Sequence, residues 1–178
     1  MRIGVAGTHG VGKSTLVEEL VSRHPDHVGV DEPFVLLEER GYEFEHPPSA
    51  ADYLVQLRAS LRLLRQPGRS VVFDRTPLDF VAYLRAVGAD AEVDGLREAL
   101  ATLDMLVVLP ITAETERVLP AAEFPGLRRD VNDALLELVQ DVEVPVVELD
   151  CPLARRVEEV SRAVTRFRPA AAPRPGPA

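Results

Sequence analysis

A glycine-rich segment near the beginning of the chain has the residue types and spacing of a phosphate-binding loop. It reads Gly7-Thr8-His9-Gly10-Val11-Gly12-Lys13-Ser14-Thr15 and fits the pattern G-x-x-x-x-G-K-[ST]. Glycines let the backbone fold around phosphates with its N–H groups pointing inward, and a following helix adds partial positive charge at its N-terminus. In this pattern the lysine reaches the β- and γ-phosphates and the serine hydroxyl binds Mg²⁺. We therefore expect a nucleoside triphosphate to bind along all of these residues, with Mg²⁺ on Ser14.

The basic residues point to the same segment. The chain has 20 lysines and arginines together, and Lys13 is its one lysine. Arginine replaces lysine readily on a solvated surface, but not where a compact ammonium must fit a tight site. The composition thus favours a specific role for Lys13.

Length, charge and cysteine content narrow the class of protein. A chain of 178 residues with a net charge of -9 and no basic stripe predicts one globular domain that does not bind nucleic acid. A single cysteine, Cys151, excludes an intramolecular disulfide and fits the cytoplasm. We expect no signal peptide and no membrane span, because no apolar run is long enough. We expect a monomer or a homodimer.

Short β-rich runs alternate with amphipathic helices, the pattern of an α/β fold with a parallel sheet. Strands are predicted at residues 2–6, 27–31, 70–74, 105–109 and 144–149. Helices are predicted at residues 13–22, 34–40, 49–66, from 76 onward, 92–103, in part of 111–126, along the apolar stripe from 127 to 142, and at 152–166. The domain is expected over residues 1–166, with a lid at about 111–129. A Pro/Ala-rich tail, residues 167–178, is expected to be disordered.

Charged residues follow two of the predicted strands, where parallel strands end at a common edge. Asp74 can hold Mg²⁺ through water, and Arg75 beside it can meet an anion on the acceptor side. Glu32 and Asp31 end the second strand, and either carboxylate there can orient or deprotonate an acceptor hydroxyl.

Arginines in the predicted lid are candidates for neutralising a transferring phosphoryl group. They are Arg117, Arg128 and Arg129. Phosphoryl transfer depends mainly on positioning and charge stabilisation, which mobile arginines can supply. Arg128 and Arg129 are preferred over Arg117.

With these residues in view, the chain resembles the nucleoside and nucleotide kinase branch of P-loop proteins. Within that branch it is most similar to small AAA-type ATPases related to the ribosylnicotinamide kinase domain. The resemblance spans residues 1–166 and rests on the phosphate loop, on Glu32-Pro33, and on the segment Asp74-Arg75-Thr76-Pro77-Leu78-Asp79 with Ala82-Tyr83.

The resemblance implies a three-layer fold whose five-stranded parallel sheet has the order 2-3-1-4-5, with helices on both faces. It implies that Lys13 and Ser14 bind nucleotide and Mg²⁺. It favours Glu32 over Asp31 as the base and matches Arg75 to an acidic-Arg motif. Asp79 and Tyr83 match the same segment without an assigned role.

Together these observations predict an ATP-binding, Mg²⁺-dependent phosphotransferase acting on a small acceptor of the nucleoside or nucleotide type. The expected catalytic residues are Lys13, Glu32, Asp74, Arg75, Arg128 and Arg129, with Mg²⁺ on Ser14 and Asp74. The alternative left open is a nucleotide-dependent regulatory ATPase module without an active acceptor site. A regulatory GTPase is disfavoured, because its guanine motif needs a second lysine.

Overall fold

Five parallel strands form the sheet in a computed structural model that describes residues 1–89, 93–118 and 124–167, without the side chains of 117 and 118. The strands are β1 (Arg2–Ala6), β2 (Val28–Val30), β3 (Val71–Asp74), β4 (Met105–Val108) and β5 (Val146–Glu148). Their order is β2-β3-β1-β4-β5, and every neighbouring pair is parallel. The predicted sheet order is therefore confirmed.

Helices cover both faces of the sheet. They are α1 (Lys13–Arg23), α2 (Pro33–Glu38), α3 (Ala50–Arg65), α4 (Pro77–Ala86), α5 (Leu96–Leu100), α6 (Ala113–Val118), α7 (Pro125–Val139) and α8 (Leu153–Phe167). None of these helices, within the described parts of the chain, is both long and apolar enough to cross a membrane.

Two hydrophobic cores explain the three layers. In β4, Leu106 and Val108 pack with α3, α4 and α7 on one face, whereas Met105 and Val107 pack with α1 and α8 on the other. Alternation of this kind is the period-two geometry of a strand with both faces buried. The central strands are thereby held rigidly, and their carboxyl ends make a firm base for a site.

Two helices begin with the same reciprocal cap. In α3, Ser49 Oγ accepts a hydrogen bond from the backbone of Asp52, and the Asp52 carboxylate accepts one from the backbone of Ser49. Thr76 and Asp79 repeat the arrangement at α4. Both caps match the helix starts predicted from the sequence.

Some predicted boundaries are wrong. The stripe assigned to one helix up to Val142 runs past the end of α7 at Val139, and Val142 packs on the core from the turn that follows. The helix predicted at 92–103 is confined to Leu96–Leu100 among the described residues. β2 and β5 are shorter than predicted because each is an edge strand with one neighbour. The predicted tail beyond Phe167 lies outside the described residues.

Candidate functional site

The phosphate loop joins the carboxyl end of β1 to the first turn of α1, as the motif requires. Gly12 precedes the helix with φ +87°, a left-handed conformation that favours glycine. A Cβ on Gly7 would lie 2.8 Å from the carbonyl oxygen of Leu109, so this position has no room for a side chain. The N-terminus of α1 and its free N–H groups face the loop, which suits an anion. Ser14 and Thr15, in the first turn, are exposed.

Lys13 is buried, and its ammonium is held inside the loop. Nζ donates a hydrogen bond to the carbonyl of Thr8 at 2.7 Å, and the residue is only 5% exposed. Burial lowers the pKa of Lys13 from 10.5 to about 8, with a further lowering from Arg75, against the attraction of Asp79, Asp74 and Glu32. The cost of burial therefore outweighs the attraction of these three carboxylates, which favours an incoming phosphate.

Asp74 and Ser14 provide oxygens of the kind that Mg²⁺ prefers. Asp74 ends β3, is buried, and has an Oδ1 atom without a hydrogen-bond partner among the described residues. Burial raises the pKa of Asp74, and a hydrogen bond from Ser14 and the charge of Lys13 partly oppose this. A buried carboxylate oxygen without a partner is costly unless something binds it. A hard cation, directly or through its water, fits this hydroxyl and carboxylate pair.

Arg75 pairs with Glu32 beside the loop. Nε of Arg75 donates a hydrogen bond to Oε2 of Glu32, and Nη1 lies 3.7 Å from Asp79 Oδ1. Burial raises the pKa of Glu32, but Arg75 and Lys13 outweigh it and bring the pKa below its usual value. Burial also opposes the charge on Arg75, but Tyr83, Glu32 and Asp79 raise its pKa overall. Both members of the pair are therefore charged at neutral pH.

The backbone at Arg75 has an unusual conformation. Its φ is +73°, which is uncommon for a residue other than glycine. Such conformations persist where the surroundings hold them, and they occur often at functional sites. Here the turn between β3 and α4 directs Asp74 and Arg75 to the same edge of the sheet.

Asp79 and Tyr83, which matched a family segment without a role, contact the phosphate loop. Asp79 Oδ1 accepts a hydrogen bond from the backbone of Gly7 at 2.9 Å, while Oδ2 caps α4 at Thr76. The Tyr83 hydroxyl lies 3.1 Å from the backbone nitrogen of His9 and 3.0 Å from its Nδ1. The sequence pointed to these two residues only through the resemblance, and their spacing of four, which puts them on one face of a helix, was a signal that could have paired them.

The arginines of the predicted lid are placed differently from one another. Arg128 is buried on α7, and its Nε donates a hydrogen bond to the carbonyl of His9 at 3.1 Å. Its Nη2 is buried without a partner among the described residues. Arg129 is exposed, because successive residues of a helix point in different directions and Arg128 takes the buried one. The side chain of Arg117 lies outside what the structure describes.

Two cavities lie on either side of the loop. One of about 330 Å³ is lined by loop and α8 residues, among them Gly10, Val11, Gly12, Leu153 and Arg156. The other, of about 370 Å³, is mainly aromatic and is lined by His9, Glu32, Phe34, His46, Pro48, Tyr53, Gln56, Arg75, Phe80, Tyr83, Phe124 and Leu127. We call these the loop–α8 cavity and the aromatic cavity. Sequence reasoning missed the aromatic cavity, since its residues are spread from position 9 to position 127.

Comparison with known proteins identifies the class. The model of the AAA domain family matches residues 2–156, so the chain belongs to that family. Its fold is that of P-loop kinases. No curated protein sequence matches it.

Solved structures share the fold at low sequence identity. Deoxyadenosine kinase from M. mycoides, with dCMP and a flexible dCDP bound, superimposes with a TM-score of 0.68 at 17% identity, over 94% of this chain and 100% of that one. NadR protein in complex with NAD and AMP-PNP superimposes with a TM-score of 0.66 at 19% identity, over 98% of this chain and 51% of that one. Shikimate kinase from Aquifex aeolicus superimposes with a TM-score of 0.57 at 16% identity, over 93% of this chain and 97% of that one.

Proposed function

We propose that the protein is an ATP-binding, Mg²⁺-dependent phosphotransferase that phosphorylates a small molecule held in the aromatic cavity. The observation that carries the proposal is the position of the phosphate loop between the two cavities. Lys13 and Asp74 lie at the loop, while Glu32 and Arg75 line the aromatic cavity beside it. A triphosphate and an acceptor hydroxyl can thus meet at one place, which is the main requirement of phosphoryl transfer.

The donor side follows from the loop. Lys13 and the backbone N–H groups hold the β- and γ-phosphates, and the loop–α8 cavity takes the nucleoside. Ser14 and Asp74 would hold Mg²⁺, which neutralises charge on the phosphates when bound. Arg128 is supported as a charge-neutralising residue by its buried Nη2 beside the loop, which has no partner within the described part of the chain. Arg129 can join it only by moving from its exposed position.

The acceptor side follows from the charge pair and the aromatic rings. The Glu32 carboxylate, ionised and oriented by Arg75, accepts the hydrogen bond of the acceptor hydroxyl and takes its proton as the phosphoryl group transfers. Aromatic rings with one amide, Gln56, and one carboxylate suit a planar ring that carries a hydroxyl. This favours an acceptor of the nucleoside or nucleotide type.

A regulatory ATPase module is the second candidate. The observation in its favour is that the Glu32 carboxylate is already engaged in an ion pair with Arg75. In that function the pair would hold the loop, and no acceptor would be phosphorylated.

We propose further that the protein acts in the cytoplasm as a monomer or homodimer, without nucleic acid. The acidic charge and the single cysteine support this.

The first test is calorimetry with ATP·Mg²⁺ and GTP·Mg²⁺ on the wild type and on Lys13→Ala. Each titration is repeated with nucleosides, nucleotides and small alcohols, and product is followed by phosphorus NMR. We expect ATP to bind to the wild type but not to Lys13→Ala, and we expect the wild type to phosphorylate one of the acceptors. Binding that no acceptor alters would favour the regulatory module, and no binding at all would refute both candidates.

Glu32→Gln separates the two candidates. It keeps the shape of the side chain but removes the charge, so ATP binding should be kept within about threefold and acceptor phosphorylation should fall at least about a hundredfold. The measurement is the rate of product formation at saturating ATP. Unchanged turnover of a confirmed acceptor would show that Glu32 is not the base.

A further inference from the structure

The hydroxyl of Tyr83 is the contact between α4 and the middle of the phosphate loop. It accepts a hydrogen bond from the backbone N–H of His9 and can donate to Nδ1 of the same residue, at 3.1 and 3.0 Å. A phenol can make both bonds at once, since it carries one donor and two acceptor sites. The Tyr83 hydroxyl oxygen therefore contacts both the backbone and the ring of His9, while Arg128 holds the carbonyl of the same residue.

Tyr83 itself has little freedom to move. Its ring stacks on Tyr53 with centroids 4.7 Å apart and planes 22° apart. The guanidinium of Arg75 lies 5.5 Å from the ring centroid, on the scale of a cation–π contact. The residue is 5% exposed. A hydroxyl carried by a ring packed in this way is a fixed reference point for the loop.

His9 is the loop residue at the boundary with the aromatic cavity. It lines that cavity with Glu32, whereas Gly10, Val11, Gly12 and Thr15 line the loop–α8 cavity. A phosphoryl group that moves from a nucleotide to an acceptor must leave the loop on the side of His9. In the proposed function, His9 would thus mark the end of the loop that holds the γ-phosphate.

We propose that Tyr83 is a positioning residue for the γ-phosphate, an inference that rests on the proposed function. Its hydroxyl orders the loop at His9 before nucleotide binds, so that binding does not have to supply this ordering. Its ring lines the aromatic cavity, so an acceptor packed there restrains the same residue. Tyr83 thereby couples the acceptor cavity to the γ-phosphate end of the loop.

Tyr83→Phe tests the inference, because it removes the hydroxyl and keeps the ring and both of its contacts. Dissociation constants for AMP-PNP·Mg²⁺ and ADP·Mg²⁺ are measured by calorimetry on folded protein. We expect AMP-PNP to bind about fivefold more weakly, the cost of ordering one residue, and ADP to stay within about twofold. A purely structural defect would weaken both nucleotides equally.

Tyr42→Phe is the matched control. Its hydroxyl donates to Asp52 Oδ1 at 3.0 Å, and Tyr42 is not a lining residue of either cavity. It should leave the AMP-PNP to ADP affinity ratio unchanged. A change in the ratio as large as that of Tyr83→Phe would overturn the inference.

A double-mutant cycle with His9→Ala gives a second measurement. Alanine removes the ring of His9 but keeps its backbone N–H, so Tyr83→Phe should shift the ratio less in the His9→Ala background than alone, and the shift that remains measures the backbone bond. Additive shifts would show that Tyr83 acts through the backbone bond alone, whereas an unchanged ratio in Tyr83→Phe would overturn the role of Tyr83. Absence of nucleotide binding by the wild type would instead overturn the proposed function.

Discussion

At the scale of single residues, Lys13 carries most of the argument. A buried ammonium that donates to one carbonyl is poorly compensated, and its lowered pKa expresses that cost. A triphosphate removes the cost by supplying the opposite charge. Lys13 is thus a residue whose cost in the free protein a bound triphosphate would offset.

The pKa of Lys13 can be measured directly, because it is the one lysine of the chain. With ¹³C-labelled lysine, a single side-chain resonance should titrate near the pKa of about 8 in the free protein. Saturating ATP·Mg²⁺ should raise this pKa, because phosphates favour the charged form.

The same shift predicts how nucleotide binding depends on pH. Free Lys13 loses its proton as pH rises through about 8, whereas the bound form keeps it. ATP affinity should therefore fall above that pH, and binding near it should take up about half a proton. Calorimetry in two buffers of different ionisation enthalpy measures the uptake. A lysine resonance that titrates near 10.5 both in the free protein and with nucleotide would contradict the role of Lys13 as a buried phosphate-binding residue.

At the scale of elements, the start of α4 organises the site. Arg75 directly precedes the N-cap of α4, and Asp79 and Tyr83 lie four residues apart on one face of that helix. Through them the helix contacts Glu32 and two residues of the loop. A change in the position of this helix end would reach the base and the loop together.

Asp79→Asn is expected to damage both the helix cap and the loop. Each carboxylate oxygen of Asp79 accepts a hydrogen bond, and an amide can replace only one of them. We expect a loss of about 1–3 kcal/mol in the free energy of unfolding, measured by urea, and weaker ATP binding.

Asp52→Asn is the control for that change. It alters the same kind of cap on α3, where both oxygens of Asp52 also accept hydrogen bonds. We expect a similar loss of stability with ATP affinity unchanged. Equal effects of the two variants on affinity would mean that Asp79 acts through stability alone.

At the scale of the whole molecule, the last helix returns to the loop. Arg156 of α8 is buried, and its Nη1 donates to the carbonyl of Val11 at 2.5 Å, across 145 positions of sequence. Burial lowers the pKa of Arg156, and Nη2 has no partner among the described residues. Arg156 thus places a buried cation, held by the carbonyls of Val11 and Cys151, against the side of the loop that lines the loop–α8 cavity.

Arg156→Met should separate binding from stability. It removes a bond to the loop and also a buried charge, so the unfolding free energy should change by less than about 1 kcal/mol. ATP·Mg²⁺ affinity should fall about tenfold, since the Val11 carbonyl loses its restraint. The exposed neighbour Arg155 pairs with Glu159, and Arg155→Met should change neither quantity. Equal affinities of the two variants would exclude a role for Arg156.

The sequence by itself determined the features that depend on local pattern. The phosphate loop, the order of strands and helices along the chain, and the helix starts at Ser49 and Thr76 all rest on residues a few positions apart. Alternation and helical spacing then report which faces are buried. Local pattern also led to the wrong end of α7. Val142 continues the apolar spacing of the helix, and residue type alone does not show that it lies in the turn that follows.

Only the tertiary structure determined which residues from distant parts of the chain meet around the phosphate loop. The aromatic cavity, the pairing of Glu32 with Arg75, and the contacts of Tyr83 and Arg156 join residues far apart in sequence. Which of the two adjacent arginines, Arg128 or Arg129, faces the loop depends on how α7 packs on α4. These contacts exist only once the cores have formed, because packing against the sheet, and not local preference, fixes where each helix lies.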